Sequence, residues 1–524
     1  MHRPITLRHL SLAFAALVLA ASAQAAPAQL SREARVAAVI ARYATSPPML
    51  RILLQPMPKG GDLHNHLDGS VYAEDYLAWA SEDGDCIARA TRTISPPPCT
   101  ADQVPAKDLV TRDPKFYQES IDALSMRNFV PGTGTGEVSG HDHTFATFAR
   151  FGAVAATHLG DMMAVTRDTA AADHVSYVEQ IADPAAAFSP ALFDGWAFEP
   201  SDLHADVEAI EPKLPALVAA ARAQFDAAEA RMRRERNCEA PEADRLPACA
   251  VRVRYLFFVL RTLPPRQVFA QMALGYALVE ADPRFVGIDL VGPEDDPVAL
   301  RDYNRHMGML LFLGQRHPDV KLSLHAGELA LGLVPPDQLG FHIRGTVEIA
   351  GARRIGHGYS IPYETDAAGL LAEMAAKKIA VEINLTSNAI TPGIAGAEHP
   401  FALYRAAGVP VTLSADDEGV FRIDLTHEYV RAVLEQKLGY AALKEMARNG
   451  LEYSFLPGAS LWRGGDYRKP AAACSGQAQG GAAPTPACAA LLAASEKAAL
   501  QWTFEADIAA YEDAVLAGRI LKTP

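Results

Sequence analysis

Positive charge is in deficit in this sequence: 48 Lys and Arg face 62 Asp and Glu, a formal net charge of −14 over 524 residues. Nucleic acid and anionic membranes both reward a cationic face, so this balance argues against either as a partner. Long apolar runs are missing as well, with one exception at 10–21. That run of about a dozen residues falls short of the roughly 20 that cross a bilayer as a helix. Cysteine is scarce, six in the chain, and no Cys-x-x-Cys occurs, which argues against a cysteine-built zinc site. No internal repeat is visible. What remains is an ordinary globular composition, 49% hydrophobic and 21% charged, long enough for one augmented domain with a large core.

The exceptional apolar run has the context of a processing signal. Arg3 and Arg8 precede it, and Ala23-Gln24-Ala25 offers a small-x-small cleavage site before Ala26. Residues 1–25 therefore read as a cleavable signal peptide, implying a periplasmic or secreted protein with no membrane association once the signal is removed. The cysteines agree. They fall as Cys86 with Cys99, Cys238 with Cys249, and Cys474 with Cys488, in polar or Ala/Gly/Pro-rich surroundings, as suits an oxidising compartment. Each bridge would close a loop of about a dozen residues, worth about 3 kcal/mol in the chain-entropy picture.

After the signal, 30–43 reads as a helix with Ser31 as N-cap, part of an N-terminal helical arm over 26–57. From residue 58 strand-like runs alternate with helical ones. The strands are predicted at 62–66, 175–181, 253–260, 286–291, 320–325, 354–357, 379–384 and 409–415. Helices are predicted at 205–234, 265–280, 297–315, 365–377 and 426–437. Eight parallel strands with crossover helices predict an α/β fold, a (β/α)8 TIM-type barrel over 58–460. Insertions are expected near 82–150 and 236–250. The first contains a Gly-rich turn at 132–140 and the series Phe145, Phe148, Phe151, read as core packing in preference to a gate because the first two share a helical face. The segment 461–524 reads as a loop held by Cys474 and Cys488, then a helix over 491–516.

Polar motifs end several of the strands, where such barrels place their chemistry. In Gly61-Asp62-Leu63-His64-Asn65-His66-Leu67-Asp68-Gly69, strand alternation points His64 and His66 the same way, about 7 Å apart. Later motifs are Asp289-Leu290-Val291-Gly292, Ser323-Leu324-His325-Ala326-Gly327-Glu328, Ile355-Gly356-His357-Gly358 and Leu413-Ser414-Ala415-Asp416-Asp417. Three imidazoles and a carboxylate, from His64, His66, His325 and Asp416, can bind one Zn²⁺ per chain and leave a place for water, whose pKa then falls toward about 7. Glu328, three residues past His325, could act as general acid if burial raises its pKa, and His357 could orient or deprotonate the attacking water.

This set of motifs, in order, spacing and strand placement, resembles the adenosine deaminase family of the amidohydrolase superfamily, over about residues 58–456. With the signal peptide and stapled insertions it is similar in particular to the secreted, growth-factor-like branch. The resemblance implies hydrolytic deamination of adenosine, and of 2′-deoxyadenosine, to inosine and ammonia. It assigns zinc to His64, His66, His325 and Asp416, and proton donation at purine N1 to Glu328. His357 and Asp416 would steer the hydroxide, Asp417 would bond N7, the Gly292 N–H would reach N3, and Asp68 would accept from the ribose 5′-hydroxyl. A carboxylate there welcomes a hydroxyl and repels a phosphate, so a nucleoside is expected over a nucleotide. Homodimerisation is left open.

Two departures bear on loop shape. Glu418-Gly419 follows the paired aspartates where the family commonly has Pro, and Leu385 stands where Pro is usual after strand seven. Strand four has no lysine that could be carboxylated to bridge two metals, which favours a single ion. The His-x-Glu with Pro-Cys-x-x-Cys signature of cytidine-type deaminases is absent. Rival readings are another amidohydrolase reaction on a related purine or small amide, and an exported binding module without activity.

Overall fold

A computed structural model describes residues 30–199 and 201–521; the predicted signal peptide lies outside the described residues. Eight parallel strands organise it: β1 (Gly60–His66), β2 (Val175–Ile181), β3 (Arg252–Leu260), β4 (Phe285–Val291), β5 (Ser323–Ala326), β6 (Arg354–His357), β7 (Ala380–Ile383) and β8 (Val411–Leu413). Consecutive strands pair within two halves, β1 to β4 and β5 to β8. Parallel bridges join the halves, Ile288 with Leu322 and Asn65 with Asp416. At the second seam His66 N–H donates to Asp416 O and Asp416 N–H donates to His64 O, both at 3.0 Å. The ring thereby closes into the expected (β/α)8 barrel.

Each strand lies where its run was predicted, although β5, β7 and β8 are shorter than 320–325, 379–384 and 409–415. Ladder pairing ends at Leu413 in β8, and three residues later Asp416 takes a left-handed φ of 60° that turns the chain into the rim. Two helix predictions need correction. The stretch 205–234 breaks into Leu203–Ile210 and Leu214–Glu235 around a tighter turn, Glu211–Lys213. Pro212 and Pro215 have no N–H to continue the helical ladder, which forces the break. The C-terminal helix is likewise two, Pro486–Ala494 and Glu496–Leu516. Ser495 is extended between them, and its Oγ accepts from Ala498 N–H at 3.1 Å to cap the second. At the other end, Ser31 caps Arg32–Arg42.

The excursion after β1 contains a small antiparallel sheet, Cys86–Ala88 with Ile94–Ser95 and Gln103–Pro105. It then forms the helix Gly140–Ala155. The core reading of Phe145, Phe148 and Phe151 holds in part. Phe151 is buried and stacks on Tyr76 with ring centroids 4.5 Å apart, and Phe148 packs against it at 5.4 Å. Phe145 and Phe148 also line the cavity at the barrel mouth. A helix laid across the mouth has an apolar face that serves the cavity as well as the core. Three disulfides, Cys86–Cys99, Cys238–Cys249 and Cys474–Cys488, tie local loops. Among the described residues no helix is long and apolar enough to cross a membrane.

Inside the barrel the packing is ionic as well as apolar. Arg354 on β6 is fully buried, and its guanidinium donates to Glu179 on β2 and Glu382 on β7. A further Arg354 N–H donates to Tyr453 O at 3.0 Å, and the Phe455 ring lies 3.8 Å from the guanidinium. Buried charges are tolerated because each is paired and hydrogen-bonded. Arg354→Met strands two carboxylates in the interior, and urea unfolding at neutral pH is expected to show a loss of about 3–5 kcal/mol. An unchanged midpoint would mean that the arginine is not the counter-ion of this interior.

Candidate active site

Strand alternation acts as expected at the end of β1. His64 and His66 both turn inward, with ring centroids 5.5 Å apart. His325 at the end of β5 and Asp416 past β8 join them, and one donor atom from each of the four lies within 4.8 Å of every other. His66 Nε2 is 3.2 Å from His325 Nε2 and 3.4 Å from Asp416 Oδ1, and His64 Nε2 is 3.5 Å from the same oxygen.

The outer ring nitrogens explain why the inner ones are free to bind. His64 Nδ1 is 2.8 Å from Glu382 Oε2, and His325 Nδ1 is 2.9 Å from Asp289 Oδ2. With those nitrogens donating to carboxylates, each inner Nε2 presents a lone pair. His64 Nε2 is buried and has no hydrogen-bond partner among the described residues. Converging lone pairs beside a carboxylate fit a divalent cation from an N/O-binding class. Glu382 was not singled out from sequence, and Asp289 was quoted in the strand-four motif without a role of its own. The available signal was an acid inside each apolar strand run, Val381-Glu382-Ile383 and Ile288-Asp289-Leu290.

The remaining predicted residues gather around this cluster. Asp68, Gly292, Glu328, His357, Asp416 and Asp417 all line a cavity of about 490 Å³, together with His66 and His325. Glu328 Oε1 is 3.8 Å from His357 Nδ1, and His357 Nε2 is 3.8 Å from Asp416 Oδ2. Asn388 Oδ1 is 2.9 Å from His357 Nδ1 and steadies the ring. Glu328 is placed through its own N–H, which donates to Glu294 Oε2 at 2.6 Å. Glu294 in turn is held by His342 Nδ1 at 2.7 Å. Asn388, Glu294 and His342 were also missed from sequence, because nothing in their local spacing links them to strands five and six.

Close approach decides two glycines. A Cβ on Gly69 would stand 1.7 Å from Asp417 Oδ1, and one on Gly356 would stand 2.6 Å from His64 Cε1. The loops after β1 and β8 are further joined by Gly419 and Val420, whose N–H groups both donate to Gly69 O at 3.0 Å. That contact brings Asp68 and Asp417 to one wall. His357 and Asp416 both hold φ near +60°, at 64° and 60°, a strained conformation for residues with a Cβ and one typical of functional loops.

Burial is the main electrostatic force on the cavity carboxyls. It raises the Glu328 carboxyl above its ordinary value against the opposing pull of His357. It pushes Asp68 up to about 6. Asp417 is driven well above the carboxylate range by burial, then by the neighbouring Asp416 and Asp68 charges. Its Oδ1 is buried without a hydrogen-bond partner. Burial on this wall thus favours the protonated form of its carboxyls, opposite a cluster of lone pairs. Among the described residues no Lys or Arg lines the cavity.

Comparison with known proteins places these features in context. Residues 221–460 match the family model described as adenosine deaminase. An adenosine deaminase of Shewanella loihica is 34% identical over 184 residues, 34% of this chain and 50% of that protein. An aminodeoxyfutalosine deaminase of Streptomyces coelicolor is 41% identical over 106 residues, 20% of this chain and 27% of that one. These alignments span half or less of the curated relatives. Among solved structures, the N6-methyl-AMP deaminase of Arabidopsis thaliana superposes with a TM-score of 0.48 at 20% identity, covering 78% of this chain and 94% of that one.

The cluster generates its own test. Metal analysis of the purified protein is expected to find one divalent ion per chain, and His66→Ala is expected to lose it. Glu382→Gln, which keeps the shape but weakens the hold on His64, should lower metal affinity by about 10–100-fold in chelator competition. Wild-type affinity in that variant would show that Glu382 does not tune the site.

Proposed function

We propose that this member of the adenosine deaminase family hydrolyses adenosine, and 2′-deoxyadenosine, to inosine and ammonia, using one zinc ion. The observation that carries the reading is the convergence of His64, His66, His325 and Asp416 within 4.8 Å of one another, in a cavity whose other walls carry Glu328, Asp68 and Asp417. His64, His66, His325 and Asp416 would hold the zinc, which when bound would lower the pKa of water toward about 7 and so provide a nucleophile at neutral pH.

The protein's own groups then move protons and orient the purine. Burial raises the Glu328 carboxyl and so favours its protonated form, the form that gives a proton to N1 as C6 becomes tetrahedral. His357, fixed by Asn388 and facing Asp416, accepts a proton from the attacking water. Burial favours the protonated form of Asp417 in the same way, and in that form it donates to N7, which has only a lone pair there. The Gly292 N–H donates to N3. Asp68 accepts from the ribose 5′-hydroxyl. A wall without Lys or Arg gives no counter-charge to a phosphate, which supports nucleoside over nucleotide. Three disulfides and the basic-apolar N-terminus support export to the periplasm or beyond.

An ultraviolet assay of adenosine loss tests the assignment. Glu328→Gln should lower kcat by about 10²–10⁴-fold with the metal retained, and stripping the metal should abolish turnover until zinc is restored. Asp68→Ala should injure adenosine far more than free adenine, and AMP should be the poorer substrate for the wild type. Comparable kcat/KM for AMP and adenosine would contradict the role given to Asp68. A metal-loaded protein that turns over no purine would leave the binding-module reading standing.

A further inference from the structure

A second chamber of about 240 Å³ adjoins the cavity and shares Asp68, Phe188 and Phe258 with it. None of His64, His66, His325 or Asp416 borders this chamber, so it leads away from the metal end. Its walls are mainly apolar, with Leu67, Leu159, Met162 and Ile181 among them. Among the described residues no Lys, Arg or His lines it.

One polar side chain inside is incompletely satisfied. Asp183, two residues past β2, accepts the Phe258 N–H on Oδ1 at 3.0 Å. Its Oδ2 is buried and has no hydrogen-bond partner among the described residues. Burial drives this carboxyl well above the ordinary range, with the Asp68 charge adding to the effect. A neutral carboxyl can donate one hydrogen bond to a weak acceptor, such as a thioether sulfur. It gives nothing to a phosphate that lacks a cation nearby.

We infer that this chamber is a subsite for a neutral, apolar substituent on the 5′ carbon, extending the substrate class to 5′-thioether purine nucleosides. The inference rests on the proposed function, because it takes Asp68 as the partner of the ribose 5′ position. From there the direction follows. Asp68, Phe188 and Phe258 border both volumes, so a group on the 5′ carbon held at Asp68 is directed to the chamber side while the purine C6 faces the metal cluster. A hydroxyl leaves this apolar volume to water. A methylthio group fills part of it and brings its sulfur toward Asp183.

The test compares kcat/KM of the full-length enzyme for adenosine, 5′-deoxyadenosine, 5′-deoxy-5′-methylthioadenosine and AMP. The methylthio compound is expected to exceed 5′-deoxyadenosine by about 10-fold or more, as apolar filling of a preformed pocket gives. AMP is expected to be the poorest. Gly152, on the helix Gly140–Ala155, borders the chamber, and a Cβ added there meets nothing within 4 Å. Gly152→Leu should therefore cut methylthio turnover about 10-fold while changing adenosine turnover by less than about 3-fold. Adenosine turnover with no advantage of the methylthio compound over 5′-deoxyadenosine would overturn the subsite and leave the deaminase reading intact. Equal losses for both substrates in Gly152→Leu would also overturn it. Failure on every purine would instead remove the reading on which the subsite depends.

Discussion

Glu382 is shared between the interior of the barrel and its rim. One of its oxygens accepts from Arg354 and from Ser323 Oγ, and the other meets His64 Nδ1. Arg354 carries the same pairing across to Glu179 on the opposite side of the barrel. In a low-dielectric interior an unpaired carboxylate would take up a proton or expel its element. Paired on one side, Glu382 remains an acceptor on the other and fixes the His64 ring. The same buried ion pair thus contributes to barrel closure and to the orientation of a metal-binding imidazole.

A second constraint is the seam where the first and last strands meet. His64, His66 and Asp416 exchange backbone hydrogen bonds there, so two candidate metal-binding elements are joined by the ladder that closes the ring. Gly69 then lets Asp417 approach, and Gly419 and Val420 bond back to Gly69. Gly419 lies against Val71, where a Cβ would stand 1.9 Å from the Val71 carbonyl oxygen. The polar wall of the cavity is thus built by the same contacts that finish the barrel. Its carboxyls are raised by the burial those contacts impose.

Legibility in the sequence followed the range of the interaction. The eight strand runs could be read because period and apolar content are local properties, and β2 and β6 match their predicted spans. His64 and His66 could be paired because alternation along one strand needs no tertiary information. Helix breaks at Pro212, Pro215 and Ser495 were missed although their cause is local, since apolar periodicity continues across them. The double duty of the helix carrying Phe145 and Phe148 was not readable, because the same spacing serves a core or a cavity wall. Glu294, His342 and Asn388 were hidden for another reason: each acts on a residue from a different strand-end loop.

The sequence by itself determined the alternation of strands and helices, the chemical types at the strand ends and the local cysteine pairs. All of these arise from short-range periodicity and spacing. Only the tertiary structure decided that four donor atoms from three distant strand ends converge, and which carboxyls are buried away from water. It alone placed a second apolar chamber beyond Asp68. Those outcomes depend on ring closure and on the exclusion of water, and neither exists until the eighth strand bonds to the first.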